Sequence, residues 1–202
     1  MAKKETVRIS VLVSGGGSNL QSLIDAQEAG NLANAQIVQV ISSSHKAYGI
    51  ERAKNHNIPA KVISKQEYAD MNERMLAVLD ALNEADTDLV VLAGYLSILS
   101  SEVIKAYEGR IINIHPSLLP KFGGKDCYGI KVHEKVIEAK ETESGPTVHF
   151  VDEGIDTGKI ILQKKVEVLP EDTPEELQKR VLVQEHIILP EAVRMVIEQK
   201  GW

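Results

Sequence analysis

Apolar positions fall along this chain in two rhythms. VRISVLV (7–13), AQIVQVI (35–41), AKVIS (60–64), DLVVLAG (88–94) and RIINI (110–114) are short, nearly continuous apolar runs. Their length and β-branched content mark them as buried strands. Between them lie SNLQSLIDAQEAG (18–30), KAYGIERAKNHN (46–57) and QEYADMNERMLAVLDALNEA (66–85), where apolar residues return at helical spacing. Gly30 and Asn57 serve as helix stops. Strands alternating with helices imply right-handed crossovers and a parallel sheet covered on both faces. The expected fold is therefore α/β, a doubly wound, mostly parallel sheet.

The pattern changes past Pro120. FGGKDCYG (122–129) reads as a glycine-rich loop and IKVHEKVIEAK (130–140) as a helix. GPTVHFVDE (145–153) and GKIILQKKVEVL (158–169) resemble two strands pairing antiparallel across the GIDTG bend. A long helix is expected over 172–199, with Thr173 as N-cap, Pro174 in the first position and Glu176 three residues after the cap. Pro190 is expected to kink or interrupt it. No internal repeat or linker divides the sequence, so a single domain over 1–202 is expected, its sheet carrying an antiparallel C-terminal extension.

Composition narrows the function. The 202 residues are 43% hydrophobic and 26% charged, ordinary for a soluble globular protein. A net charge of −6 gives no general attraction to nucleic acid or anionic membrane, so any anion needs a local site. The single cysteine, Cys127, excludes an intrachain disulfide and a multi-cysteine zinc site, and suits a reducing compartment. MAKKET at the start lacks an apolar signal region, and no stretch approaches the roughly 20 apolar residues of a membrane span. A cytoplasmic setting without nucleic acid or membrane partners is expected.

Within VSGGGSNLQSLI (13–24) a strand runs through glycines into a helix. Glycines let backbone approach a ligand, and the helix start offers unpaired N–H groups, so an anion such as phosphate would sit over Gly17, Ser18 and Asn19. Leu20 stands where a dinucleotide fingerprint needs glycine, and no Walker lysine follows. A tight strand-to-helix turn is the plainer alternative.

IINIHPSLLP (111–120) ends its apolar run in Asn113 and His115, two apart and so on one face, and Pro116 and Pro120 stop its continuation. They lie at the carboxyl edge, where open α/β sheets bind ligands. An imidazole can move a proton near neutral pH or steady an oxyanion, and an amide supplies two donors and an acceptor. The pair suits attack on a carbonyl without a covalent intermediate, because Ser117, behind a proline, makes a poor triad. A strand-end histidine satisfied by backbone is the alternative. In HFVDEGIDTG (149–158), Asp156 is the leading carboxylate to approach His115 and raise its pKa, against a solvated acidic turn carrying Asp152, Glu153 and Asp156. His45 and His56 read as surface positions, while spacing does not rank His133 or His149. Metal ligation is not expected, since neither a His-Glu-x-x-His motif nor paired cysteines occur.

Taken in order, SGGGSNLQ, NIHPSLLP and VHFVDEGIDTGKIILQ resemble the phosphoribosylglycinamide formyltransferase family, the folate-dependent formyl transferases of purine synthesis, from Val7 to about Pro190. The resemblance implies a Rossmann-like fold and transfer of a formyl group from 10-formyltetrahydrofolate to the amine of phosphoribosylglycinamide. It implies a phosphate-binding half to about residue 110 and a folate-binding half beyond it. Gly17, Ser18, Asn19, Gln184 and Glu185 would hold phosphoribosylglycinamide. Asn113 and His115 would flank the tetrahedral centre, and Asp156 would tune His115. The folate would lie against Leu96, Ser97, Ile98, Leu99, Asn113 and the loop Asp152, Glu153, Gly154, Ile155 and Asp156, with Lys65 near its acidic end. Small-molecule substrates and a monomer or homodimer follow from the same likeness.

Three departures accompany it. Ser97 stands where many relatives carry arginine, Leu182 replaces a residue polar in some of them, and 122–133 is longer than in some members. Lys121 is placed near the phosphate. Other readings stay open. Methionyl-tRNA formyltransferases carry a further domain and a basic surface, and formyltetrahydrofolate hydrolases a second histidine where Pro116 stands. A non-catalytic phosphometabolite-binding module would use the 15–19 turn but have no need of Asn113, His115 and Asp156 together.

Overall fold

In the computed structural model, which describes residues 4–202, the parallel half begins with β1 (Val7–Val13), α1 (Ser18–Glu28), β2 (Ala35–Ser42), α2 (Gly49–Asn55) and β3 (Ala60–Val62). It continues through α3 (Met71–Glu84), β4 (Leu89–Leu92), α4 (Ser101–Ala106) and β5 (Ile111–His115). Beyond come α5 (Ile130–Glu138), β6 (Glu143–Ser144), β7 (Thr147–Phe150), β8 (Ile160–Gln163), β9 (Val166–Glu167) and α6 (Pro174–Lys200). The main sheet has seven strands in the order β3-β2-β1-β4-β5-β7-β8. Its first five strands in that order are parallel, and β7 and β8 extend it antiparallel.

Alternation within each strand distributes the core. Val7, Ile9, Val11 and Val13 of β1 pack with Leu20, Leu23 and Ile24 of α1 and with Leu189 and Val193 of α6. Leu12 faces the other way, onto Met75, Val78 and Leu82 of α3 and Val103 of α4. Strands buried on both faces explain why they read as unbroken apolar runs.

The sequence missed α4, whose six residues are too few to show a period, and the two-residue β6. The expected 158–169 strand is two short ones, because β8 stays with β7 while β9 turns to pair with β6. The helix expected over 66–85 begins only at Met71, where the Asp70 carboxylate accepts from the amides of Asn72 and Glu73. Thr173 and Glu176 form the expected capping box. Of the kink or interruption expected at Pro190, the interruption does not occur, since α6 runs through it to Lys200. Buried Ile188, Leu189, Ala192 and Val193 flank the proline, and their burial against the sheet offsets its missing N–H.

Losing the cap should cost less than losing core. Thr173→Ala is expected to lower unfolding stability by about 1 kcal/mol, and Leu189→Ala, fully buried in α6, by about 2–5 kcal/mol. Urea unfolding of both variants checks the ranking.

Candidate active site

Loops from the carboxyl ends of β1, β4 and β5, the 152–156 loop and one face of α6 enclose a cleft of about 810 Å³. At its floor β1 gives way to the glycine turn. Gly17 is the N-cap of α1 with φ 68°, and a Cβ there would lie 2.7 Å from the Gly49 Cα. Only glycine fits that left-handed, crowded position. The amide of Gly49 donates to the Gly15 carbonyl at 3.1 Å, and Arg52 Nε donates to the Gly16 carbonyl at 2.8 Å. Thus α2 engages carbonyls of the turn, while no side chain caps the first-turn amides of α1.

Asn19 Nδ2 donates to Glu185 Oε2 at 2.6 Å, joining α1 to α6. Burial pushes the Glu185 carboxyl above its ordinary value, with the Asn19 hydrogen bond opposing. Asn19 Oδ1 is buried and finds no donor among the described residues.

Asn113 and His115 share a face at the end of β5, as their spacing requires. His115 is 4% exposed, and its Nε2–H donates to the Phe122 carbonyl at 2.9 Å. Its Nδ1 lies 3.4 Å from Asp156 Oδ2. The same Oδ2 accepts from the Gly124 amide at 3.0 Å, and Oδ1 lies 3.5 Å from Asn113 Nδ2 and 3.6 Å from His149 Nε2. Asp156 holds φ at 59°, a left-handed conformation uncommon for a residue with a side chain. Ser117 is fully buried and donates to the Lys121 carbonyl at 2.6 Å, which removes it as a nucleophile.

Asp156 reaches His115, but the expected net effect on the ring is reversed. Burial is the largest influence and pushes His115 below its ordinary pKa; Asp156 and the Phe122 carbonyl pull upward and do not overcome it. The ring therefore rests neutral at neutral pH. Burial alone would raise Asp156, but His149, His115 and the Gly124 amide outweigh it and hold the carboxyl below its ordinary value.

A family profile described as formyl transferase matches residues 7–193. The chain belongs to the formyl transferase family. It is 43% identical to phosphoribosylglycinamide formyltransferase of Haemophilus influenzae, over 95% of this chain and 87% of that protein. The chloroplastic phosphoribosylglycinamide formyltransferase of Vigna unguiculata is 42% identical, and the match spans 96% of this chain but only 62% of that relative. Among solved structures, glycinamide ribonucleotide transformylase 1 of Symbiobacterium toebii superposes with TM-score 0.91 at 38% identity, covering 98% of this chain and 90% of that one.

Of the residues singled out beforehand in this formyl transferase fold, Ser18, Asn19 and Glu185 line the cleft beside Asn113, His115 and Asp156. Leu96, Ser97, Ile98, Leu99 and the whole 152–156 loop line it too. Gly17 shapes the turn without being among the lining residues. Gln184 is not on the cleft wall, which α6 builds from Gln178, Leu182 and Glu185. One position along a helix is a rotation of about 100°, and that carries Gln184 off the lining face. Lys65 sits exposed after β3, away from the lining. Lys121 pairs with Glu141 at 2.8 Å and is not among the lining residues. No cluster of three or more ligating side chains placed to hold a metal ion occurs among the described residues. Nor is any helix among them long and apolar enough to cross a membrane.

Two lining histidines, His133 and His149, are the ones that spacing left unranked. His149 stands opposite Asn113 in the β5–β7 register, a long-range pairing that spacing alone does not reveal. His133, on α5, is fully buried, and neither ring nitrogen finds a partner among the described residues. Burial, aided by His115, lowers its pKa to about 4.

That depression has a thermodynamic sign. Between the ordinary histidine value of about 6.5 and the folded value of about 4, the unfolded chain takes up a proton that the folded His133 refuses. Stability is therefore full above that window and falls as pH drops through it. His133→Phe is expected to flatten this decline, each unit of depression being worth about 1.4 kcal/mol. Urea midpoints of both proteins between about pH 7 and pH 4.5 measure it, and parallel declines would contradict the assignment.

Proposed function

We propose that this protein transfers the formyl group of 10-formyltetrahydrofolate to the amine of phosphoribosylglycinamide, yielding the N-formyl product and tetrahydrofolate. The observation that carries the reading is the meeting of Asn113, His115 and Asp156 in one cleft with the Ser18–Asn19 turn. Family membership and two relatives named for this reaction support it.

The lining suits both molecules. First-turn amides of α1 and the Ser18 hydroxyl take the phosphate, through unpaired donors and the helix dipole. Asn19 Oδ1, lacking a donor, accepts from the ribose or amide portion, and Glu185 binds beside it. Leu96 and Ile98, 64% and 62% exposed, face the cleft with Ile155 and offer apolar surface to a flat pterin ring.

Chemistry then follows from charge placement. The amine nitrogen attacks the formyl carbon, and the carbonyl electron pair moves onto oxygen. Asn113 donates an amide N–H to that oxygen. The neutral His115 and anionic Asp156 can together accept the one proton the amine releases, directly or through water. Once protonated, His115 steadies the oxyanion. The proton passes to the departing folate nitrogen as its bond to carbon breaks, and no covalent enzyme intermediate is needed.

His115→Ala and Asp156→Asn should each lower kcat by about 100- to 1000-fold while the protein remains folded. Incubation with phosphoribosylglycinamide and a 10-formylfolate, following the deformylated folate by absorbance, measures this. Binding of both ligands by the unmodified protein without turnover would favour a sensor instead.

A further inference from the structure

His149 is a buried titratable group that the steps above leave unused. It is 2% exposed, on β7, and its backbone register places it directly across from Asn113. The β7–β8 ladder shifts register between Val148 and His149, an irregularity of the kind that re-aims a side chain beside a functional site.

Its hydrogen bonds define its tautomer. Nδ1 lies 2.8 Å from the Phe150 carbonyl oxygen, which can only accept. Nδ1 must therefore carry the proton. In the neutral ring Nε2 is then an acceptor, and it lies 3.1 Å from Asn113 Nδ2. The opposite tautomer would set two lone pairs against each other at 2.8 Å. Asp156 Oδ1, at 3.6 Å from Nε2, is a longer contact than the Asn113 amide nitrogen, which is the nearer partner of that ring nitrogen.

We propose that His149 is a positioning residue for formyl transfer: latched to the Phe150 carbonyl as the Nδ1–H tautomer, it fixes which way the Asn113 amide points. An asparagine amide rotates by half a turn at little intrinsic cost, exchanging donor for acceptor. With one Asn113 N–H held by His149, the second, whose only other partner is the long 3.5 Å contact to Asp156 Oδ1, is the one available to the formyl oxygen. A flipped amide would present its own oxygen to the developing negative charge and repel it. This rests on the formyl-transfer reading of the site, and it gives Asn113 a defined polarity which that reading alone does not supply.

A double-mutant cycle tests the coupling. His149→Phe keeps ring volume but removes both hydrogen bonds, and kcat should fall about 100-fold with the KM for phosphoribosylglycinamide little changed. His149→Gln, which retains a donor and an acceptor, should recover part of the loss. In an Asn113→Ala background, His149→Phe should cost less than about threefold more. Equal losses in both backgrounds, in variants whose thermal unfolding matches their parents, would overturn the proposal. Independently of activity, ¹⁵N spectra of the imidazoles at about pH 8, well above the ordinary histidine pKa, should show His149 as the Nδ1–H tautomer. An Nε2–H signal would overturn the assignment whether or not the protein transfers formyl groups. Absence of turnover in the unmodified protein alongside the expected tautomer would instead fault the reaction assigned to the cleft.

Discussion

The antiparallel pairing of β7 against β5 is the contact on which the site depends. It sets His149 across from Asn113 and Thr147 across from His115. Thr147 Oγ1 donates to the Ser117 carbonyl at 2.6 Å and accepts from the Leu119 amide at 3.1 Å, tying down the segment that leaves β5. The chain leaving β7 then enters the loop that brings Asp156 back over His115. A slip of one residue would turn every side chain of β7 to the opposite face. It would remove His149 from Asn113 in the same movement. Fold and the geometry of the cleft are thus specified by one register.

Burial then decides the electrostatics. A carboxylate 3.4 Å from an imidazole would, in water, favour the charged ring. Here the cost of moving an imidazolium out of water exceeds that attraction, and His115 rests neutral beside an ionised Asp156. On the proposed reading this is the useful state. The pair has a vacancy for one proton at the moment an amine must lose one, and the attraction to Asp156 becomes effective only when that proton arrives.

Much of this was legible in the residues because the informative signals are local. The β1 to β5 runs announce strands by continuous apolarity, Thr173 and Glu176 announce a helix start, and the spacing of Asn113 and His115 puts both on one face. What stayed hidden depends on contacts between distant segments or on geometry too short to repeat. His149 acquires its meaning only from Asn113, 36 positions away. The split between β8 and β9 depends on pairing with β6, and α4 is too short to declare a period. Gln184 and Gln178 differ only in helical phase, which the packing of α6 settles. The uninterrupted helix through Pro190 is a case of tertiary burial overriding a local breaker.

On the proposed reading, the cleft's charge balance bears on how an acidic protein receives a phosphorylated substrate. Lys125 is the one lysine or arginine lining the cleft among the described residues, against Asp126, Asp152, Glu153, Asp156 and Glu185. Leu182 on the α6 wall adds no positive charge. A phosphate drawn only by the net charge of this lining would be repelled; on the proposed reading it is held by the directed N–H donors of the α1 start, with the Arg52 guanidinium beside the turn through its bond to the Gly16 carbonyl. Glu185 fits the same logic. Burial holds its carboxyl above the ordinary value, which favours the neutral form and lessens repulsion of an anion at the turn, while its bond to Asn19 ties α6 to that turn. The helix whose apolar face closes the core therefore also anchors the glycine turn, so on the proposed reading stability and substrate recognition share one element.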